Sequence, residues 1–561
     1  MAVKGTDVDT VLNALGGKGL YQRVHHLLMQ FTAFSAAFQL LDMIFIGRII
    51  PHECSAPPNG TGITIAGVEL SPSNYTVEYG QCNIYVKYNT TSTTNTSINT
   101  EHTLPCIYGM TYTERKDASI VSEFDLVCER GALGDLPQTL LILGQAMGAL
   151  VLPFFSDRYG RKPTNIISHV GMIGIGVATA FSNSYITFAI LRLLMGIVQQ
   201  GVVLTYATYS IEVYPTQYRR YVGFIGNVIW GICVVSMTPF GYFLRMESWR
   251  TQQLAFCSVS LYVIIVVIFM DESFRWLIAN GKYDIALKNI KKAAKWNKVD
   301  VNMVVDKFNN LIGRQTVAIS EPEMGNQLLL NEGETKPIEK IEKYSLIDIL
   351  KRKKLALNTF ILWYLWCTAA LSYFGLFFTS ASLVGDKYLN FFLYAVMEFP
   401  SGLIFFLIVD RFGRKKTLRT FYALCGTGMI LATIIKVTSD SYAASVCITI
   451  LSLVGKLGAG GAFGACFFYT PEIFPTNLRN VGLGSASIAA RVGGMLGPFS
   501  RVLAQHISWG PGAVFGGCCL LATVLITVLP ETTGKELPQT MADVKLLYKK
   551  VPDQMAPTKE R

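Results

Sequence analysis

The chain has 561 residues, of which 51% are hydrophobic and only 16% are charged, against about 25% charged in soluble domains. So much apolar surface could not be buried by a set of soluble domains, and this class is excluded. The formal net charge of +11 does not indicate nucleic-acid binding, because the basic residues stand in short clusters between apolar segments. The composition is typical of an all-α polytopic membrane protein.

Apolar runs of about 18–25 residues, the length of a helix that crosses the hydrocarbon core, recur along the chain. We predict twelve spans, at 25–50, 137–155, 163–181, 186–208, 221–243, 252–270, 356–378, 388–409, 419–437, 442–468, 481–503 and 510–530. None of them alternates with period two, which disfavours a barrel. Residues 1–24 have no apolar core of their own, so we expect a cytoplasmic N-terminal segment and no signal peptide.

Basic residues in the short loops place both termini, including the tail 531–561, in the cytoplasm. The large loop 51–135 is then extracellular, and it contains cysteines and glycosylation sequons, which require an oxidising and glycosylating compartment. Its cysteines are Cys54, Cys82, Cys106 and Cys128, and its sequon asparagines are Asn59, Asn74, Asn89 and Asn95. Four cysteines allow three pairings, and the sequence does not choose among them.

The second large loop, 271–355, is rich in lysine and contains no cysteine, which indicates the cytoplasm. Within it, the apolar spacing of residues 281–312 predicts one or two short helices with a basic face. Residues 315–345 are typical of a polar linker.

An internal repeat divides the chain into two halves. The segment SDRYGRK (156–162) returns as VDRFGRK (409–415), and EVYPTQYR (212–219) returns as EIFPTNLR (472–479). Asp-Glu-Ser at 271–273 and Pro-Glu-Thr at 530–532 share nearly the same offset. The repeat predicts two six-helix halves in parallel orientation, 25–270 and 356–530, joined by the cytoplasmic loop.

The repeated motifs predict a pair of charged clusters that act as a cytoplasmic gate. An aspartate can accept hydrogen bonds from the arginine of its own turn, and the glutamate after span 4 or span 10 can pair with the same arginines. We expect these pairs to hold the inner gate and to part when the halves rock. The alternative is charged side chains that merely reach water at helix ends. The residues are Asp157, Arg158, Arg161, Glu212 and Arg219, and in the second half Asp410, Arg411, Arg414, Glu472 and Arg479.

Charged residues within the spans are candidates for a binding site, because each costs at least about 2.5–3.5 kcal/mol at a helix centre. Glu398, Lys456 and Arg491 lie near mid-span, and Asp42 lies nearer the outside. These four charges balance. They either pair with one another inside the bundle or offer both signs to a substrate in a central cavity.

Several motifs resemble those of solute carrier family 22 within the major facilitator superfamily. They are the two D-R-x-G-R-K turns, SIVSEFDLVC (119–128), the two E-x-Y/F-P-T-x-x-R segments, ESFRWL (272–277) and LPETTGKELPQT (529–540). The family comprises transporters of organic cations, organic anions and carnitine-type zwitterions. The resemblance implies the major facilitator fold, with twelve transmembrane helices in two pseudo-symmetric halves.

The resemblance also implies site residues. Arginine at position 491 and lysine at 456 resemble the anion and carnitine carriers, whereas Glu398 resembles the cation and carnitine carriers. Val203 stands where typical cation carriers have an aromatic residue, which weakens a pure cation site, although Tyr206 lies nearby. Further aromatic positions that match the cavity of the family are Trp366, Tyr373, Phe374 and Phe463.

These features predict a plasma-membrane secondary transporter that works by alternating access. A zwitterionic or cationic solute is favoured, with Arg491 holding a carboxylate while Glu398, Asp42 and aromatic side chains hold an ammonium. The alternatives are an organic anion exchanger that uses Arg491 and Lys456, and a ligand-sensing transceptor. We expect a monomer embedded in membrane lipid, with no enzymatic activity, nucleic-acid partner, cofactor or metal. The sequence leaves sodium or proton coupling open.

Overall fold

A computed structural model of the chain describes residues 5–57, 64–65, 68–69, 75–91, 97–313, 346–475, 478–533 and 538. The predicted linker 315–345 and most of the C-terminal tail lie outside these residues. Below, the end of the bundle that carries the two D-R-x-G-R-K turns is called the inner end. The end that carries the loop between spans 1 and 2 is called the outer end.

Ten helices in the described part of the chain are long and apolar enough to cross a membrane. In the numbering of the predicted spans they are span 1 (Leu20–Ile46), span 2 (Cys128–Tyr159), span 4 (Tyr185–Glu212), span 5 (Tyr221–Phe243), span 6 (Trp249–Phe269), span 7 (Lys353–Ser382), span 8 (Lys387–Phe412), span 9 (Arg414–Thr438), span 10 (Tyr442–Ile473) and span 12 (Gly510–Val528).

Two further helices stand where spans 3 and 11 were predicted, and with them the count reaches twelve. Span 3 is Arg161–Ala180 and span 11 is Arg479–Leu496. Neither is among the ten helices above, and span 3 carries the polar residues Asn165 and His169 within it. Span 11 also carries Arg491 within it. Most of the helices extend beyond the predicted spans, since their polar ends continue past the apolar run.

The helices turn large apolar side chains outward. Phe154, Ile186 and Phe243 are 76%, 68% and 79% exposed, on spans 2, 4 and 5. Polar residues such as Gln199 and Asn358 are instead fully buried between helices. This distribution, apolar outside and polar inside, is the one that a hydrocarbon environment favours.

Several spans contain breaks, and proline explains the one in span 8. Span 8 is divided into Lys387–Val396 and Glu398–Phe412. Pro400 has no N–H, and its ring crowds the carbonyl of the residue four positions earlier, Val396, which is the last residue of the first segment. Span 1 is divided into Leu20–Gln30, Ala33–Leu41 and Met43–Ile46, and span 6 contains the 3-10 turn Val259–Tyr262.

The loop between spans 1 and 2 forms small antiparallel sheets at the outer end. The pairs are His52–Cys54 with Met110–Tyr112, Thr64–Ile65 with Val68–Glu69, and Asn83–Thr91 with both Tyr75–Tyr79 and Ser97–Pro105. The predicted disulfide cysteines are all paired, Cys54 with Cys106 and Cys82 with Cys128. Asn89 lies in a strand, and the sequon residues Asn59, Asn74 and Asn95 lie outside the described residues.

Short helices surround the inner end. They are Gly5–Ala14, Phe274–Ala279, Tyr283–Asn297, residues 301–313 and Leu346–Leu350. Leu12, Leu277, Ile290 and Phe308 belong to one buried apolar cluster that holds the first four of these helices together. One or two helices were expected within 281–312, and the structure has two, against which the N-terminal segment packs.

The remaining helical turns connect the spans. They are Lys116–Ala118, Ile120–Glu123, Thr216–Tyr218 and Ser500–His506. The two halves meet along their length. At the outer end Arg501 pairs with Asp135 across the interface, and towards the inner end the rings of Phe224 and Phe406 are 4.9 Å apart.

Candidate functional site

Arg491 joins the two halves at mid-depth through neutral partners. Its guanidinium, on span 11, donates one hydrogen bond to Gln145 Oε1 of span 2 and another to Gln200 Oε1 of span 4, the latter at 3.0 Å. The two glutamines belong to the N-terminal half. No carboxylate among the described residues forms an ion pair with Arg491 within 4.0 Å. The arginine thus keeps its charge unneutralised beside two amides.

Lys456 and Glu398 form a buried ion pair inside the C-terminal half. The lysine Nζ lies 2.7 Å from Glu398 Oε1, and the two side chains are 1% and 11% exposed. The helix break before Glu398 places this carboxylate towards span 10. Lys456 Nζ also lies over the rings of Tyr373 and Phe377, 3.4 Å and 3.9 Å from their centroids. The lysine thus takes both the carboxylate and the aromatic faces that a substrate ammonium would use.

Asp42 pairs with Arg192, a residue of span 4 that the sequence analysis did not single out. The two guanidinium nitrogens donate to its two carboxylate oxygens at 2.7 Å and 2.9 Å, and both side chains are 0% exposed. Gln138 Oε1 accepts a further bond from the same guanidinium at 3.0 Å. Asp42 is therefore paired inside the bundle, which was one of the two alternatives for the charged residues of the spans. Substrate contact by Asp42 stays a prediction.

The charge count of the spans changes with Arg192. Asp42 is neutralised by Arg192 and Glu398 by Lys456, so Arg491 remains as an additional positive charge among these five residues. The balance expected from the sequence omitted Arg192, which lies seven residues from the start of its helix, Tyr185–Glu212. The paired arrangement makes the mid-depth region positive.

The predicted aromatic residues lie around these charges. Trp366 is buried, donates to Thr470 Oγ1 at 2.8 Å and packs edge-on against Phe463, with centroids 6.0 Å apart. Tyr373 accepts a hydrogen bond of 2.9 Å from Trp230 of the N-terminal half.

Two more predicted aromatic residues are partly buried near the interface. Phe374 packs edge-on against Tyr373, with a centroid distance of 5.2 Å. Tyr206 contacts the apolar cluster that contains Ala37 and Ile229, between spans 1, 4 and 5. Together with Tyr373 and Phe463, these side chains form an aromatic surface beside Arg491 and Lys456.

The first charged cluster of the inner end is assembled from spans 2, 3 and 4. Arg161 pairs with Asp157 at 2.9 Å and with Glu212 at 2.8 Å. Arg158 lies 5.7 Å from the ring centroid of its neighbour Tyr159. The backbone of Arg219 begins the helix that contains span 5, and its side chain is outside the described residues.

The second half repeats this cluster with the equivalent residues. Arg414 pairs with Asp410 at 3.1 Å and with Glu472 at 3.4 Å. Arg411 lies 5.7 Å from the ring centroid of Phe412, and Arg479 Nε donates to the Pro471 carbonyl at 2.9 Å. In both halves, these ion pairs and hydrogen bonds join residues of the same half. Their action as a gate stays a prediction.

Each cluster contains a second glutamate whose role the sequence analysis missed. Glu272 accepts from the backbone N–H groups of Arg161 and Lys162, both at 3.1 Å, and so caps the first turn of span 3. Glu531 does the same for Arg414 at 3.1 Å, at the start of span 9. A carboxylate is favoured there by the free N–H groups and by the helix dipole. The repeat of these glutamates at the same offset was the signal that could have revealed the caps.

The comparisons with known proteins agree with this architecture. Residues 136–543 match the family described as sugar (and other) transporter. The chain is 29% identical over 557 residues to the organic cation transporter protein of Drosophila melanogaster, covering 97% of this chain and 95% of that protein.

Two further relatives also align over nearly their whole length. Solute carrier family 22 member 16 of Homo sapiens is 26% identical, with 96% of this chain and 93% of that protein covered. Organic anion transporter 3 of Oryctolagus cuniculus is 28% identical, with 95% and 93% covered. The resemblance to solute carrier family 22 is confirmed by these relatives.

Among solved structures, the partially occluded inward-open form of the xylose transporter XylE from E. coli has a TM-score of 0.57 and 15% identity. It covers 92% of this chain and 100% of that chain. This similarity shows the major facilitator fold. The chain is a multi-pass membrane protein and not an enzyme, and it belongs to the sugar (and other) transporter family.

Proposed function

We propose that the chain is a plasma-membrane secondary transporter that moves small organic ions carrying a carboxylate, by alternating access. The unneutralised guanidinium of Arg491, held between the halves by two amides, is the observation that carries this proposal. A carboxylate can form two parallel hydrogen bonds with a guanidinium and neutralise its charge, which an amide oxygen cannot do. A substrate carboxylate would therefore replace Gln145 and Gln200 as the partner of Arg491.

This exchange of partners would couple binding to movement of the halves. Arg491 belongs to the C-terminal half and both glutamines to the N-terminal half, so a ligand on the guanidinium alters a contact across the interface. The hydrogen bond from Trp230 to Tyr373 crosses the same interface at 2.9 Å. A ligand can drive a conformational change only by binding one state better than the other, and these contacts offer such a difference.

The zwitterionic and anionic substrate classes place different demands on Lys456 and Glu398. A zwitterion would set its ammonium against Glu398 and the aromatic surface, and Lys456 would have to give up part of that contact. An organic anion needs no such change, because Lys456 can remain paired while Arg491 holds the carboxylate. The pair at 2.7 Å therefore supports organic anion transport as the second candidate, and it weakens a simple cation site.

Uptake into cells that express the chain tests the proposal. We would compare a labelled carboxylated quaternary amine, benzoate and tetraethylammonium, each with and without sodium. For Arg491→Ala we expect a loss of about 10- to 100-fold in uptake of the carboxylated substrates, since a bond between charged groups is removed. Arg419→Ala is the matched control, because Arg419 is exposed at the inner end of span 9.

The pattern across substrates decides the outcome. Uptake of the carboxylated amine supports the zwitterion, and uptake of benzoate alone supports the anion exchanger. Uptake of tetraethylammonium that exceeds both and survives Arg491→Ala would overturn the proposal. The proposal would also be overturned if the chain reached the cell surface and signalled on ligand addition but transported none of the three compounds. That result would indicate a transceptor.

A further inference from the structure

A separate cavity lies between the halves at the outer end, far along the spans from Arg491. Its volume is about 280 Å³. It is formed by the end of span 1, the end of span 7, the start of span 8 and the helix Ser500–His506. Its lining includes Phe45, Arg48, Lys387, Tyr388, Phe391 and Arg501. The cavity thus has one wall from each half.

Three basic side chains line this cavity, and no acidic side chain is among its lining residues. Arg48 is 8% exposed and pairs with Glu114 outside the lining, at 2.9 Å and 2.6 Å. Arg501 pairs with Asp135 and donates to the Gly47 carbonyl at 2.6 Å. Lys387 adds a third cation, and the carboxylate of its neighbour Asp386, outside the lining, accepts from the backbone N–H groups of Tyr388 and Leu389, both at 2.9 Å.

Arg48 and Arg501 each have an N–H group that no acceptor among the described residues satisfies. In both side chains this group is the buried Nε–H. Each guanidinium therefore keeps donor capacity that its carboxylate partner does not use, and its positive charge favours an anionic group in the cavity.

The opposite part of the lining is aromatic. The ring of Phe45 lies 5.0 Å from that of Phe391 and 6.2 Å from that of Tyr388, nearly parallel to the latter. Aromatic faces of this kind favour a flat apolar group by stacking or edge contact. The cavity combines such faces with the basic side chains.

We propose that this cavity is a second binding site, for small carboxylates with a flat apolar body, at the outer end of the transporter. The basic groups Arg48, Lys387 and Arg501 bind the carboxylate, and Phe45, Tyr388 and Phe391 hold the ring. A neighbouring cavity of about 730 Å³ under the outer sheets shares Ile49, Arg501 and Gln505 with it. The site does not depend on Arg491 or on transport.

Chemical labelling of a single introduced cysteine tests the site directly. Ser382 lines the cavity and is exposed, so Ser382→Cys in an Arg491→Ala background reports on this position alone. Intact cells would be treated with an anionic and a cationic methanethiosulfonate reagent, and the labelling rates compared. The same chain without Ser382→Cys gives the background from the native cysteines.

Three probes of similar shape then compete with the label: benzoate, benzamide and benzyltrimethylammonium. We expect benzoate to slow the labelling, and Lys387→Gln to raise the concentration needed for half protection about tenfold, the effect of one bond between charged groups. Lys436→Gln, which removes a lysine at the outer end of span 9 that pairs with Asp440 at 3.6 Å, should leave this concentration unchanged.

Equal protection by benzamide and benzoate would overturn the anion site, and so would equal effects of Lys387→Gln and Lys436→Gln. Protection by the cation alone would reverse the assignment of charge. Because Arg491 is already replaced, none of these outcomes depends on the central site. Failure here would leave the proposed transport function standing, and failure of carboxylate uptake would leave this site standing.

Discussion

Gly160 and Gly413 stand at the turns that start spans 3 and 9, with φ of +111° and +92°. Residues other than glycine rarely adopt this backbone conformation. A Cβ at Gly160 would also overlap the Glu272 carboxylate that caps span 3. Glycine at this position therefore has two effects. It permits the turn, and it leaves room for the carboxylate that caps the next helix.

We expect Gly160→Ala to destabilise the chain by about 1–3 kcal/mol, because it strains the turn and displaces the capping carboxylate. The thermal melting temperature of the detergent-solubilised protein would be lower than for the parent chain. Gly174→Ala is the control, since a Cβ there meets no atom within 4 Å in the middle of span 3. Equal melting of the two variants would contradict the capping role.

The ion pair between Lys456 and Glu398 leads to a prediction about pairing. Lys456→Met should cost about 3–5 kcal/mol, because it leaves a buried carboxylate without its partner. The double variant Lys456→Met/Glu398→Gln should recover most of this loss. The measurement is the amount of folded protein at the cell surface together with its melting temperature. A double variant less stable than Lys456→Met would show that the two residues do not act as a pair.

The charged residues of the centre were largely predictable from the sequence, whereas their partners were not. Arg491 and Lys456 stand out because apolar residues surround them along the chain. Their contacts with Gln145 and Glu398 depend on how helices distant in sequence come together. Arg192 was overlooked although apolar residues surround it in the same way, and only the fold brings it against Asp42.

At the scale of elements, the helix Gly5–Ala14 is held at the inner end by an ion pair, by hydrogen bonds and by apolar packing. Asp9 pairs with Arg275 and accepts hydrogen bonds from the backbone and side chain of Thr216, at 3.2 Å and 2.6 Å. These hydrogen bonds and the charge of Arg275 outweigh the effect of burial and lower the pKa of Asp9 below its usual value. Leu12, three residues further along the helix, belongs to the apolar cluster of the inner end.

Leu12→Asp should detach this helix, because it places a charge in a fully buried apolar position at a cost of roughly 2–4 kcal/mol. We expect faster tryptic cleavage within 274–313, measured by mass spectrometry on membranes opened at the inner side. Asn13→Asp is the control, since Asn13 is exposed and its Oδ1 accepts from Gln217, as a carboxylate also could. Unchanged cleavage in Leu12→Asp would show that the helix does not protect this segment.

The elements themselves were predictable to different degrees. The spans were found because an apolar run of sufficient length has few alternatives to a membrane helix. Their ends were missed, as in span 2, where Gly131–Tyr159 includes polar turns outside the apolar run 137–155. The strands of the outer loop were not predicted, because their residues are mostly polar and lack a regular apolar alternation.

For the whole molecule, transport by alternating access requires the halves to move against each other, and spans 5 and 8 offer a place to prevent it. A Cβ at Gly402 of span 8 would lie 3.8 Å from the Cβ of Asn227 in span 5. This separation is typical of a disulfide.

The division into two halves was itself predictable, because the three repeated motifs share nearly one offset.

We expect the pair Asn227→Cys/Gly402→Cys to abolish uptake after oxidation and to recover it on reduction. Each single variant should transport in both conditions. The pair Gly171→Cys/Val198→Cys is the matched control, because a Cβ at Gly171 would lie 3.5 Å from the Val198 Cβ within the N-terminal half. Full uptake by the oxidised Asn227→Cys/Gly402→Cys chain would mean that spans 5 and 8 stay together during transport.

The glutamate caps of the two inner clusters also bear on how the chain is made. Glu272, just after span 6, caps span 3 in the N-terminal cluster. Glu531, just after span 12, caps span 9 in the other cluster. Each half therefore receives its final carboxylate only when its last helix has left the ribosome. The first half can complete its own network while the second is still being synthesised. Assembly in the membrane then becomes the docking of two finished units.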